Sequence, residues 1–511
     1  MSDLTDSKIQ IIDAHQAANS RKSLLERVLS SRNNKAITLV LYFAIAVALP
    51  ASILNLLLAM ASGAGVTAIG VLLTLLSALI WGTLYSALLC WRKSKPEFVF
   101  LITAAPLLAG FALLMIPGGA PDEIWHAYRA MDIMHSGNFD MVAPVGTEPD
   151  KMPQNYGDLA AVIGGSTNYS DNFVVGRDMS SYLFQLYALP SLVFLLFKPF
   201  GVNVFVLMFC GRLVNAAFFL ILGYWTIKKI PFGKLFIAVY LLNPMMLQQE
   251  ASLSADAFLN AIAVFYIALL FEMLLQQEKI RLRQAIGLGG VILLLCASKY
   301  AYAPMSFLSL ILLARMTNKR KASIVGTVSV VVIVSGVVCI IAFTSGGSFS
   351  DSFDLMRRPL ECAKVVIKTI YIFGGNWLVQ FAGGSLGALC ISTWLPLNVF
   401  FYCMLGVAAF ENNGCKKAIP ASAKIASFAT MLVMTIIIVL SMRSWSLSVD
   451  NLTDIIGGIQ GRYFIPFALL TVVLVGGRAR ASYGKNDIVA FALGSFTVSA
   501  ASLLFVARFF L

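Results

Sequence analysis

Residues 97–129 read EFVFLITAAPLLAGFALLMIPGGAPDEIWHAYR. The run from 97 to 116 carries a single charge, at its start, and as a helix it reaches about 30 Å, enough to cross the hydrocarbon of a bilayer. Pro117, Gly118 and Gly119 break it, and an ionisable patch follows at once: Asp122, Glu123, His126 and Arg129. Pro121 suits the first position of a helix, because its missing N–H has no partner there anyway. On such a helix Asp122, His126 and Arg129 fall at i, i+4 and i+7, one face, with Glu123 three before His126. Asp122 in the first turn then meets the positive end of the helix dipole, which favours the ionised form that a general base needs. Acids at a helix start are also ordinary dipole complements, to which His126 and Arg129 can simply pair.

The same alternation of apolar run and charged break extends over the whole chain. Of 511 residues, 59% are hydrophobic and 12% charged, against about 45 to 50% and about 25% in soluble domains. This excludes an ordinary cytosolic enzyme and makes the protein a polytopic, all-α membrane protein. The net charge of +13 resides mainly in short basic linkers, at 1–35, 91–97, 228–234, 277–284, 315–321, 411–424 and 478–485. That is positive-inside placement rather than a nucleic-acid surface. The first 35 residues are polar and mixed in charge, so an uncleaved anchor with a cytoplasmic N-terminus is expected. Eight cysteines lie mostly inside apolar runs without CxxC spacing, which argues against a disulfide framework or a zinc site.

Parity then predicts about 13 transmembrane helices: 36–60, 64–90, 97–116, 203–227, 235–250, 255–276, 285–298, 300–315, 322–344, 386–410, 425–442, 463–477 and 487–509. The apolar run 182–197, interrupted by Pro190, is read as an interfacial helix, because a crossing there would put Lys228, Lys229 and Lys234 on the wrong side. The expected organisation is a cytoplasmic segment (1–35), an extra hairpin (36–90), a core (91–477) with outer loops at 117–202, 345–385 and 443–462, and a last loop and span (478–511). Within 117–180, nine acids face three basic residues, whereas the second outer loop carries Arg357, Arg358, Lys364 and Lys368.

Two further constellations fall on the same face. Asn243-Pro244 breaks one span, and Gln248-Gln249-Glu250 leads through Ser252 and Ser254 to Asp256 at the head of the next, where Ser254 or Asp256 can also serve as a plain helix cap. Arg212, Lys299 and Arg462 lie in or beside outer-half spans; each is a type that grips phosphate, Arg by a planar fork and Lys as a point charge. Snorkelling, or pairing with Glu250 or Asp256, accounts for them equally well one at a time. No Walker loop, GxGxxG, HExxH or GxSxG stands out, so nucleotide binding, zinc chemistry and proteolysis are unsupported. Energy-coupled transporters tend to hold charges at the midplane; here the charges gather at one face.

The sequence resembles a family of bacterial polytopic membrane proteins, the domain of unknown function 2142. The resemblance rests on Pro121-Asp122-Glu123 with His126 and Arg129, Tyr182-Leu183, Gly211-Arg212-Leu213-Val214-Asn215 and Ser252-Leu253-Ser254-Ala255-Asp256. Lys299 with Tyr302 and the nine residues Gly458-Ile459-Gln460-Gly461-Arg462-Tyr463-Phe464-Ile465-Pro466 complete it, so that it runs from about 98 to 477. That family is in turn similar to the GT-C glycosyltransferases, in which the first large outer loop carries the catalytic carboxylate. The resemblance implies Asp122 as base, with Glu123 as its partner or as a ligand for a divalent ion such as Mg or Mn. It also implies a sugar donor carried on polyprenyl phosphate.

The expected function is therefore an inverting GT-C-type transferase of the bacterial inner membrane, working at its outer surface. Its donor would be an undecaprenyl-phosphate sugar and its acceptor a surface polysaccharide or lipid-linked glycan. Asp122 and Glu123 are the expected catalytic pair; His126, Arg129, Arg212, Asp256, Lys299, Arg462 and Tyr463 are expected to bind donor phosphate or substrate. A flippase or exporter of lipid-linked saccharides, or a polysaccharide polymerase or ligase, would use the same cationic face.

Overall fold

The computed structural model describes residues 32–92, 95–135, 143–144, 152–163, 173–174, 183–276, 280–315, 350–410, 418–450, 452–475 and 483–511. Helices follow the apolar runs. The first are α1 (Arg32–Ala61), α2 (Ala68–Arg92), α3 (Pro96–Leu114), α4 (Glu123–His135), α5 (Tyr156–Ile163), α6 (Ala188–Phe197) and α7 (Val204–Lys229). After them come α8 (Lys234–Leu241), α9 (Pro244–Glu250), α10 (Ala255–Leu275), α11 (Leu282–Ser298) and a 3-10 helix, Tyr300–Arg315. The C-terminal part comprises α12 (Ser350–Met356), α13 (Pro359–Phe381), α14 (Leu395–Ala408), α15 (Ala421–Ser441), α16 (Arg443–Val449), a 3-10 turn at Gly461–Phe464, α17 (Ile465–Ala468), α18 (Thr471–Val475) and α19 (Lys485–Phe509). Two short antiparallel ladders, Ala143–Pro144 with Phe173–Val174 and Ser385–Leu386 with Ile391–Ser392, are the strands of the described residues.

The core forms around helices that lack a polar stripe. α3 is apolar on every side and almost wholly buried; a helix of that kind belongs in the middle of a bundle. It packs against α1, α7 and α19, while α7 packs in turn against α10 and α6. Asn203 fixes the start of α7 by accepting from the Phe205 N–H (2.9 Å), and Ser254 caps α10 by accepting from the Asp256 N–H (3.2 Å). Each cap satisfies one of the amide donors that a helix N-terminus leaves without a partner.

The protein is a multi-pass membrane protein, but the described residues do not supply the thirteen spanning helices expected. Among the described residues, eight helices are long and apolar enough to cross: Lys35–Ala61, Ala68–Cys90, Pro96–Leu114, Val204–Lys229, Ala255–Leu275, Pro359–Phe381, Ala421–Val449 and Asn486–Phe509. One of them, Pro359–Phe381, corrects the reading of 345–385 as loop: basic residues in its first half mask an apolar length sufficient to span. The expected span 235–250 is two short helices, because Pro244 has no N–H to continue α8 and Asn243 instead caps α9 through the Met245 N–H (2.9 Å). The expected span 463–477 is likewise a 3-10 turn followed by α17 and α18. Residues 300–315 form 3-10 rather than α-helix, with Pro304 inside it, and the expected span 322–344 lies outside the described residues. α6 has ten residues, about 15 Å, or half the hydrocarbon thickness.

Candidate functional site

The break after α3 arranges two neighbouring acids in opposite ways. Gly118 takes φ +82, a left-handed conformation open to glycine, and the backbone folds back so that the Gly118 and Ala120 N–H groups donate to Glu123 Oε2 (3.1 and 3.4 Å). Asp122 also takes a positive φ, +58, a strained backbone that Asp tolerates better than most residues. This corrects the expected helix start. α4 begins at Glu123, and Asp122 stands just ahead of it, its carbonyl accepting from the His126 N–H (3.2 Å). The Asp122 side chain is 41% exposed and that of Glu123 is fully buried.

Glu123 meets Arg212 of α7. The guanidinium donates through Nε to Glu123 Oε1 (2.7 Å) and through Nη2 to Oε2 (2.5 Å), and its other N–H groups reach the carbonyls of Ala112, Met115 and Ile116 at the end of α3. The Leu253 N–H adds a further donor to Glu123 Oε1 (3.1 Å). All five donors of Arg212 are thus engaged, and Glu123 accepts from five groups. The pair staples the end of α3 to α7 and to the turn before α10. This revises two expectations: Arg212 has no donor left for a phosphate, and Glu123 has no open lone pair with which to assist Asp122 or hold a metal. Among the described residues no group of three or more His, Cys, Asp or Glu side chains gathers to hold a metal ion. The described residues at this site do not fit the Mg or Mn ion that the GT-C resemblance implied.

The other expected residues converge. Arg462, 3% exposed, lies between two carboxylates, with Nη2 3.3 Å from Asp122 Oδ2 and Nη1 3.3 Å from Asp256 Oδ2. Its Nε donates to Gln460 Oε1 (2.6 Å) and Nη1 to Gln249 Oε1 (3.3 Å), and its guanidinium carbon lies 5.2 Å from the Tyr463 ring centroid. Lys299, at the end of α11, pairs with Asp256 Oδ1. Burial works against the Arg462 charge, but Tyr463, Asp256 and Asp122 outweigh it and hold the proton more tightly than on an ordinary arginine. Two acids and two cations therefore meet at one point, contributed by the break before α4, the head of α10, the end of α11 and the 3-10 turn before α17. His126 is buried one turn into α4, where its Nδ1 shares a hydrogen bond with the Tyr187 hydroxyl (2.7 Å). Arg129 is buried on the same helix.

An apolar cavity of about 500 Å³ starts two residues beyond Arg462. Its wall includes Phe464, Trp377, Phe381, Tyr240, Tyr402 and Gly406. The Trp377 and Phe464 ring centroids are 5.3 Å apart, and the Tyr240 hydroxyl donates to the Ile465 carbonyl (2.6 Å). Gly461 is pressed against the α13 backbone: a Cβ there would fall 2.3 Å from the Trp377 oxygen and 2.6 Å from the Phe381 nitrogen.

The family model for DUF2142, a predicted membrane protein, matches residues 148–471. The chain belongs to the DUF2142 family. The match contains Arg212, Asp256, Lys299, Arg462 and Tyr463, and it begins later than the expected 98, leaving Asp122, Glu123, His126 and Arg129 ahead of the matched DUF2142 residues. No curated protein and no solved structure matches the chain.

Gln249, Gln460 and Tyr187 belong to the site but are absent from the expected set. The two glutamines sit inside stretches already singled out, where uncharged amides attract less notice than the neighbouring charges. Tyr187 lies in an apolar run, and nothing local marks it as the partner of His126.

Proposed function

We propose that this protein is a membrane glycosyltransferase that takes a sugar from a polyprenyl-phosphate donor and passes it to a cell-surface polysaccharide or lipid-linked glycan. The observation that carries the reading is the position of Asp122, 41% exposed and 3.3 Å from Arg462, whose turn leads within two residues into the wall of an apolar cavity at Phe464. The prenyl chain would occupy the cavity, and the donor phosphate would be held by Arg462 and Lys299, exchanging with the carboxylates that hold them now. Asp122 would accept the proton of an acceptor hydroxyl as that oxygen attacks the anomeric carbon. The bond from that carbon to the phosphate oxygen breaks, the prenyl phosphate leaves with the electron pair, and the configuration inverts. The neutralised phosphate is a competent leaving group, so the mechanism requires no nucleotide. The site would open to the outer face of the bacterial inner membrane, with the basic linkers inside.

The test is Asp122→Asn in purified protein supplied with a radiolabelled prenyl-phosphate sugar. Transfer should fall by about a hundred- to ten-thousand-fold, with donor binding retained. Unchanged transfer would remove Asp122 from the chemistry. Donor binding and translocation with no transfer by the unsubstituted protein would favour a flippase or exporter, and transfer of oligosaccharides alone a polymerase or ligase.

A further inference from the structure

A second cavity, of about 360 Å³, lies between α1, α3 and α7 and is lined by Phe43, Leu101, Ala217, Ile221, Tyr224 and Trp225, among others. Its wall holds no charged side chain, yet a cation sits on its rim. The Lys228 ammonium lies 4.4 Å from the Trp225 ring centroid and 5.5 Å from that of Tyr224, within cation–π range. Neighbouring lysines are differently engaged: Lys229 pairs with Glu272 (2.9 Å), and Lys234 donates to the Lys228 carbonyl (3.0 Å). Among the described residues, no carboxylate pairs with the Lys228 side chain. The other two walls also start from lysines at this end, Lys35 in the first turn of α1 and the exposed Lys95 just before α3.

The depth of the cavity matches one lipid chain. Its lining on α7 runs from Ala217 to Trp225, about 12 Å, against about 15 Å for half of the hydrocarbon core. Arg212 lies about 24 Å along the same helix from Lys228, so the ammonium marks the end of the cavity turned away from the Glu123–Arg212 pair. We propose that it is a binding site for an anionic phospholipid, whose chain fills the space between α1, α3 and α7 and whose phosphate meets Lys228. The two rings keep the ammonium within cation–π range beside the cavity, and an anion is favoured there over a zwitterion.

Trp225 supplies the probe. The full-length protein is reconstituted into vesicles in which a varied fraction of the lipid carries dibrominated chains, as phosphatidylglycerol or as phosphatidylcholine. The fluorescence of Trp225 is read as the difference between the unsubstituted protein and Trp225→Phe. Brominated phosphatidylglycerol should quench it at about a fivefold lower mole fraction than brominated phosphatidylcholine. Lys228→Gln should abolish that preference while leaving quenching by phosphatidylcholine intact. Equal quenching by the two lipids in the unsubstituted protein overturns the proposal, since any chain then suffices. Quenching by neither also overturns it, because protein would then fill the space. A preference that survives Lys228→Gln overturns the role of the lysine.

Discussion

Glu123 and Arg212, 89 residues apart in the chain, form an ion pair with no solvent exposure on either side chain. A buried pair contributes little net stability relative to a well-packed apolar one, but removing one partner strands the other charge at about 3–5 kcal/mol. Arg212→Met is therefore expected to lower the unfolding temperature of the detergent-solubilised protein sharply, and the double variant Arg212→Met/Glu123→Leu to recover only part of the loss, because the backbone groups that the pair also satisfies stay without partners. A melting temperature unchanged in Arg212→Met would mean that the pair does not hold α3 to α7.

Arg462 has the contrasting geometry of a fork shared between two acids. Arg462→Lys keeps the charge but cannot span Asp122 and Asp256 together. The expected result in a transfer assay is a higher KM for the prenyl-phosphate sugar together with a lower kcat, while the thermal midpoint stays near that of the unsubstituted protein. Unaltered kinetics would exclude the guanidinium from donor binding.

Gly461→Ala changes no charge and no hydrogen-bonding side chain. The added methyl meets α13 backbone, which cannot swing aside, so the 3-10 turn must move and carry Arg462 with it. A shift of about 1 Å at a reacting geometry costs roughly a hundredfold in rate. Transfer should drop on that scale, and circular dichroism should remain helical; full activity would show that the turn tolerates displacement.

Chain-length dependence tests the 500 Å³ cavity. Gly406 lines it, and a Cβ there meets nothing within 4 Å, so Gly406→Phe should fill space without strain. Affinity for long prenyl donors should fall by about 0.8 kcal/mol, roughly fourfold, for each methylene displaced. Donors with a chain too short to reach Gly406 should be unaffected. Equal loss for short and long donors would place the chain elsewhere.

The sequence carried the all-helical membrane fold plainly, because apolar length and basic linkers are local signals. It also marked Asp122, Asp256, Lys299 and Arg462 as members of one expected site, though not their pairing, which for Arg462 depends on packing across more than two hundred residues. The roles of Glu123 and Arg212 were misread for one reason: a charge type reveals that a partner is needed, not whether the partner is substrate or protein. Crossing number failed where composition and backbone disagree. Pro244 divides one apolar stretch, 461–475 divides into a 3-10 turn and two short helices, and the lysines of 359–381 concealed a helix of spanning length.

The tight seat of Gly461 on α13 has a mechanical corollary. Trp377, Leu378 and Phe381 of that helix form a wall of the greasy chamber, and the same stretch of backbone braces the residue before Arg462. The bore of the chamber and the reach of the arginine are therefore set by a single lever. Whatever displaces this wall therefore also shifts the turn that carries Arg462, and with it the 3.3 Å contact to Asp122.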